Sequence, residues 1–262
     1  NSGYWAEKAI NQAKKYNKVE ICASSEDKNF NYFPQQNTWK MNSQSNYIHI
    51  TPNETIGGVA LRSFKETTVP LIADYSSSIL SEPLKVSNFG VIYGGAQKNI
   101  GPAGLGFAII RKDLLGRAEE LVPTMLNYTT YQKNKSMYNT PPTFAWYVAG
   151  KVFKWLKSMG GLKEIYKTNL NKANKLYKFI DQSDLYFNNI EESSRSIMNI
   201  PFLLRQESLN SNFLDQSVKR GLFALKGHRS VGGMRASIYN AMTEEGVDCL
   251  IEFMTEFEKD NL

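Results

Sequence analysis

The stretch GVIYGGAQKNIGPAG, residues 90–104, decides how the chain is read. Val91, Ile92 and Tyr93 form a short apolar run, two glycines end it, and Lys98 follows among small residues. β-Branched and aromatic residues in a row, without polar alternation, suit a strand covered on both faces. Four runs of the same kind flank it: KVEICAS (18–24), YIHIT (47–51), VPLIADYS (69–76) and GFAIIR (106–111). Together they predict a mostly parallel sheet with packed helices, an α/β fold. Residues 25–46 are polar and irregular and predict no element.

Further along, the periodicity changes. TFAWYVAGKVFKWLKSMGG (143–161) reads as an amphipathic helix stopped by paired glycines, and 162–182 as a second helix. SIMNIPFLL (196–204), ALKGH (224–228) and MRASIYN (234–240) read as strands, and SLNSNFLDQSVKRG (208–221) as a helix with Gly221 at its end. In the last helix Thr243 is the expected N-cap. Glu244 and Glu245 then sit where the helix dipole favours negative charge. Gly246 stands where a complete capping box has Glu or Gln. These patterns predict a large domain over residues 1–162 and a smaller α+β domain over 163–262. Residues 4–16 already carry a helical rhythm and no methionine opens the chain, so the sequence is expected to be a fragment or a trimmed form.

The chain has 262 residues and 42% hydrophobic content, enough for one large core or two modest ones. Net charge is +6, yet the lysines of QAKKYNK (12–18) and LKEIYKTNLNKANKLYK (162–178) fall at helical spacing. They read as solvated helix faces, and no nucleic-acid partner is expected. Mild positive charge suits a small anionic substrate. Cys22 and Cys249 are the only cysteines, so neither a disulfide framework nor a metal site is expected, and a reducing cytoplasm is the default. No apolar run approaches about eighteen residues and no signal peptide is recognisable, so no membrane partner is expected.

Lys98 carries the candidate chemistry. An amine attacks a carbonyl only when unprotonated, and a crowded, partly buried site lowers its pKa. Gly94, Gly95 and Ala96 are expected to leave room for a flat ring beside it. An electron-sink cofactor such as pyridoxal phosphate (PLP) also needs a carboxylate against its ring nitrogen. Asp74 ends the VPLIA run, where α/β sheets place ligands, so Asp74 and Lys98 are expected at the ends of two successive strands on one rim. Each residue alone has a plainer reading: a solvent-facing lysine, and a turn or cap aspartate. In GHRSVGGMR (227–235), His228, Arg229 and Arg235 lie among glycines. Arginine grips carboxylate or phosphate as a bidentate fork, although a basic surface loop would look the same. His49 sits in a strand without a motif and is expected to be structural.

ADYSSSIL (73–80), GVIYGGAQKNIGPAGLGFAIIRKDLLG (90–116), SMYNTPPTFAWY (136–147) and LKGHRSVGGMRASIYNAM (225–242) together resemble the phosphoserine aminotransferase family. The likeness runs over nearly the whole chain. It implies the PLP-dependent transferase fold type I, with pyridoxal 5′-phosphate as cofactor. Lys98 would hold the cofactor as a Schiff base and shuttle the substrate proton, Asp74 would pair with the ring nitrogen, and Gln97 would reach the phosphate. Trp5 would stack on the ring and Thr55, in TPNET, would hydrogen-bond the cofactor. Without the resemblance these two read as a core aromatic and an N-cap. Asn139 and Thr140 would reach the phosphate of the other subunit, implying a homodimer with a shared active site; alone, NTPPT is a turn before a helix. Arg235 would take the α-carboxylate, with His228 and Arg229 on the substrate's phosphate or distal carboxylate.

The implied reaction passes an amino group between L-glutamate and 3-phosphohydroxypyruvate, giving O-phospho-L-serine and 2-oxoglutarate by ping-pong kinetics. It belongs to serine biosynthesis, with a second family role in making the cofactor itself left open. The family carries a further N-terminal segment with a glycine-rich phosphate loop and more substrate residues, so this chain alone is expected to be weakly active or inactive. Two alternatives stay open: a fold type I aminotransferase with another substrate, and a non-catalytic fragment that keeps dimerisation and anion binding.

Overall fold

The computed structural model describes all 262 residues. Four of the five apolar runs form one sheet, in the order β1 (Ile48–Ile50), β2 (Leu71–Asp74), β3 (Val91–Gly95) and β4 (Gly106–Ile110). β1, β2 and β3 are parallel, with Ile48 opposite Leu71 and Ile72 opposite Val91. Leu71, Ala73 and Ile92, which share one face, are at most 1% exposed. Ile72, Asp74 and Tyr93 on the opposite face are half-buried, so the sheet is less completely covered on that side than the apolar runs predict. β4 returns antiparallel to β3 at the sheet edge and is largely exposed.

The fifth run, 18–24, is not a strand. Its backbone makes isolated bonds, Asn1 N to Ala23 O and Lys40 N to Cys22 O, and never a ladder. Valine and isoleucine favour a strand only where a neighbour supplies the pairing, and none runs beside this segment.

α1 (Tyr4–Ala13) and α3 (Thr143–Ser158) form as expected, and a short α2 (Tyr128–Lys133) appears where no helix was predicted. Ala149 of α3 joins the first core, built from Phe33, Trp39, Ile50, Val59 and the strands.

The second sheet is antiparallel: β5 (Tyr186–Phe187), β6 (Asn199–Leu204) and β7 (Met234–Ser237). The strand expected at 224–228 reduces to a single bridge between Lys226 and Met234. Three helices cover this sheet: α4 (Leu162–Gln182), α5 (Asn210–Lys219) and α6 (Glu244–Asn261). On α4 the buried residues Ile165, Asn169, Lys172, Ala173, Leu176 and Ile180 follow the helical repeat. Thr243 caps α6, its Oγ1 accepting from Gly246 N at 3.2 Å. The second core centres on Phe213, whose ring lies 5.0 to 5.9 Å from Tyr186, Phe202, Phe253 and Phe257.

The two cores are stitched by residues 190–196. Ile190 packs in the first core, Ala60 N donates to Ser194 O at 2.7 Å, and Ser196 N donates to Gly58 O at 2.9 Å. No helix is long and apolar enough to cross a membrane.

Candidate active site

Parallel neighbours end on the same rim, so β2 and β3 bring Asp74 and the turn carrying Lys98 together. Asp74 Oδ1 accepts from Ser76 N at 2.9 Å, which turns the chain as it leaves the sheet. After β3, Ile100 N and Gly101 N both donate to Ala96 O and close a tight turn around Lys98. Lys98 Nζ donates to Thr55 Oγ1 at 2.7 Å. Burial lowers the Lys98 pKa, Asp74 opposes that fall, Arg235 adds to it and Glu54 opposes it. An amine held this way has more of the unprotonated form that adds to a carbonyl.

Among the small residues before Lys98, Gly94 has a cause within the fold itself. A Cβ on Gly94 would lie 2.8 Å from Ser76 N and 2.9 Å from Phe107 Cε1. Gly94 therefore lets β3 pass the chain leaving Asp74; the space is filled by the protein itself. The same holds in the basic loop, where a Cβ on Gly227 would strike Gly232 O.

Behind Asp74, Tyr93 stands opposite it in register, and His49 Nε2 lies 2.8 Å from the Tyr93 hydroxyl. His49 thus ties β1 to β3 across β2, and burial lowers its pKa.

Trp5 opens α1 with its ring edge-on to Tyr4, 5.3 Å between centroids, and is 42% exposed. It is therefore not a core aromatic. Glu54 fixes this helix start: its Oε2 accepts from Trp5 N at 3.0 Å and its Oε1 from Ala6 N at 2.8 Å. The Glu54 side chain has no exposure, and burial pushes its pKa up to about 7. Nothing in the sequence near Glu54 marks it as a helix cap, because its partners lie 48 and 49 residues away.

His228 reaches the same corner, its ring 5.3 Å from Tyr4 and its Nδ1 2.7 Å from Ser230 Oγ. Arg235, on β7, keeps its Nε buried without a partner in the chain. A buried guanidinium donor left open in this way suits an anionic ligand. Arg229 and Gln97 are exposed, with Gln97 folded back over Gly95. Asn139 and Thr140 lie on an exposed loop, and no hydrogen bond joins either to the Lys98 cluster; the Asn139 amide donates to Thr140 O. No group of three or more His, Cys, Asp or Glu side chains could hold a metal ion.

A shielded amine, a hydroxyl and a carboxylate at the next strand end meet at one rim, and Arg235, reaching in from the second sheet, lies close enough to act on the charge of Lys98. This set fits a flat anionic aldehyde with a basic ring nitrogen, the chemistry of PLP. The model of the class-V aminotransferases matches residues 1–250. The chain belongs to this family. Within it, the chain is 52% identical over 258 residues to the phosphoserine aminotransferase of Hahella chejuensis, spanning 98% of this chain and 72% of that protein. The solved phosphoserine aminotransferase from Bacillus circulans subsp. alkalophilus matches with a TM-score of 0.98 and 44% identity, over 100% of this chain and 73% of that one. A PLP-bound phosphoserine aminotransferase from Trichomonas vaginalis matches with a TM-score of 0.91 and 38% identity, over 97% of this chain and 73% of that one. The class-V aminotransferase fold here is the fold type I arrangement, with a mostly parallel sheet beneath the site.

Proposed function

We propose that the chain carries the chemistry of a PLP-dependent phosphoserine aminotransferase. It would pass an amino group between L-glutamate and 3-phosphohydroxypyruvate, giving O-phospho-L-serine and 2-oxoglutarate. The observation that carries this proposal is the convergence of Lys98 with Thr55, Asp74 and the unpaired Arg235 Nε.

When bound, PLP supplies an electron sink for the pair left at the substrate's α-carbon. Lys98 would hold the cofactor through Nζ, and its amine would be the base that takes and returns the α-proton of the substrate. Thr55 holds Nζ in place beforehand. Asp74 would pair with the ring nitrogen and favour its protonated form, and Trp5 would cover one ring face. Arg235 takes the α-carboxylate, common to glutamate and phosphoserine, in a bidentate grip. His228 and Arg229 face the group that differs, a distal carboxylate or a phosphate, and Gln97 serves the cofactor phosphate. Small anionic substrates match the arginines and the net charge of +6.

The chain works as a homodimer in this proposal, with Asn139 and Thr140 of one protomer reaching the cofactor phosphate bound by the other. Support comes from their surroundings: Leu126, Phe144 and Tyr147 are 71%, 74% and 63% exposed around that loop, a patch that a second copy would cover. The compartment is the cytoplasm, in keeping with free Cys22 and Cys249.

The test is the absorbance of the purified chain with PLP, before and after borohydride, with peptide mapping. A bleachable band with the label on Lys98, discharged by L-glutamate and restored by 3-phosphohydroxypyruvate, is expected. Label scattered over surface lysines overturns the assignment of Lys98. Restoration by other 2-oxoacids but not by 3-phosphohydroxypyruvate overturns the substrate. Sedimentation at twice 29.7 kDa is expected, and a monomer overturns the shared site.

A further inference from the structure

Two chains of buried amides cross between the sheets beside the site, and none of the chemistry above uses them. The first starts just before Thr55. Asn53 Nδ2 donates to Ser77 Oγ at 2.8 Å and to Asn199 Oδ1 at 2.9 Å. Asn199, on β6, then donates to Ser237 Oγ on β7 and to the Tyr239 hydroxyl, at 3.1 and 3.0 Å.

The second starts just after Lys98. Asn99 Nδ2 donates to Ile79 O at 2.9 Å, and Asn99 Oδ1 accepts from Asn240 N at 3.0 Å. Asn240 Nδ2 donates to Leu80 O at 2.9 Å, and its Oδ1 accepts from Asn169 Nδ2 at 2.8 Å. Lys172 of α4 holds the same segment, its Nζ donating to Ile238 O, Tyr239 O and Met242 O at 3.2, 3.1 and 2.8 Å. All five linking asparagines and Lys172 are buried.

Both chains end on the strand and turn that carry Arg235. Apolar surfaces tolerate sliding, whereas a buried amide that leaves its partner loses the bond and stays unsolvated. The segment after Arg235 is therefore held in one register against the turn of Lys98. We propose that Asn99 and Asn240 are positioning residues that fix Arg235 relative to Lys98, so the α-carboxylate site is set before substrate arrives. This rests on the roles given to Lys98 and Arg235 under the proposed function.

The test compares the full chain with its Asn240→Ala variant and, as a control for lost stability, with Phe213→Leu in the second core. Three readouts are taken: PLP affinity by absorbance, steady-state kinetics with both substrates, and amide hydrogen exchange over residues 234–240. Asn240→Ala removes two buried bonds, to Leu80 O and from Asn169 Nδ2, and is expected to raise KM for both L-glutamate and 3-phosphohydroxypyruvate about tenfold. PLP affinity and kcat stay near wild type. Exchange at 235–237 quickens in Asn240→Ala and not in Phe213→Leu. Arg235→Lys costs less in the Asn240→Ala background than in the wild type, as coupled residues require.

Unchanged KM with lowered stability, or full additivity with Arg235→Lys, overturns the proposal. If the wild-type chain turns over neither substrate, the functional reading fails and exchange decides the clasp. Faster exchange at 235–237 in Asn240→Ala alone then upholds it, and equal exchange in both variants overturns it. Should Asn240→Ala not fold, Asn99→Ser, which keeps a hydroxyl acceptor, takes its place in every comparison.

Discussion

Replacing Glu54 with Gln isolates a buried carboxyl whose charge state the fold controls. Burial raises its pKa from 4.5 to about 7, with Asp74 adding to the rise, while the Trp5 and Ala6 N–H groups pull it back. In the unfolded chain the group titrates near its ordinary value. Between the two pKa values the folded state holds a proton that the unfolded state has lost, so stability falls as pH rises through that window. The stabilising effect is full below 4.5 and gone above about 7. At 1.36 kcal/mol per pKa unit the whole swing is about 3 kcal/mol, of which roughly 2.5 kcal/mol falls between pH 5 and 8. Gln at this position does not titrate. The assay is urea unfolding of wild type and Glu54→Gln across that range. The stability of wild type minus that of the variant is expected to drop by roughly 2.5 kcal/mol on going from pH 5 to pH 8. Glu82, which burial also raises to about 7, titrates in both proteins and cancels in the difference. A flat difference would refute the reasoning, because it would mean that the two backbone N–H groups and the α1 dipole keep Glu54 ionised throughout.

Asp74→Asn removes the carboxylate that supports the charge on Lys98 and that the proposal pairs with the ring nitrogen; kcat is expected to fall on the order of 100-fold, and the Lys98 pKa to drop further, read by the pH dependence of Lys98 labelling in the PLP-free chain. Gly94→Ala forces a methyl against Ser76 N and costs about 1–3 kcal/mol by urea unfolding, a loss that a merely roomy pocket would not produce. Phe213→Ala empties a fully buried position ringed by aromatics and costs about 3–5 kcal/mol in the same assay.

The sheet beneath the site was legible because β1, β2 and β3 are short, mostly apolar runs; one face is buried throughout, while His49, Ile72, Asp74 and Tyr93 on the other are only half-buried. Residues 18–24 have the same composition and failed as a strand, since pairing depends on a neighbour that composition cannot reveal. Asp74 and Lys98 could be paired from sequence because consecutive parallel strands end on one rim. For Gly94 the structure supplies a reason that the sequence could not: Ser76 packs where its Cβ would stand. Glu54 and the linking asparagines were illegible. Asn53 meets Asn199 at a separation of 146 residues and Asn99 meets Asn240 at 141, and no local spacing announces such partners. Arg235 carried its signal in residue type alone; that its Nε is buried and open emerges only once β7 is in place.

The stitch at residues 190–196 bears on how the molecule is made. The first core is closed in part by Ile190, and Ala60 finds its acceptor on Ser194, yet both come after α3 and α4 in the chain. A ribosome that has delivered the whole first sheet has not yet delivered the piece that closes it. Domains that fold as units during synthesis can do so as soon as their own residues have emerged. Here the first unit must wait for the two long helices and the turn beyond them. The nascent chain therefore carries an unfinished core through the translation of α3 and α4, and its parts reach their final register late and together.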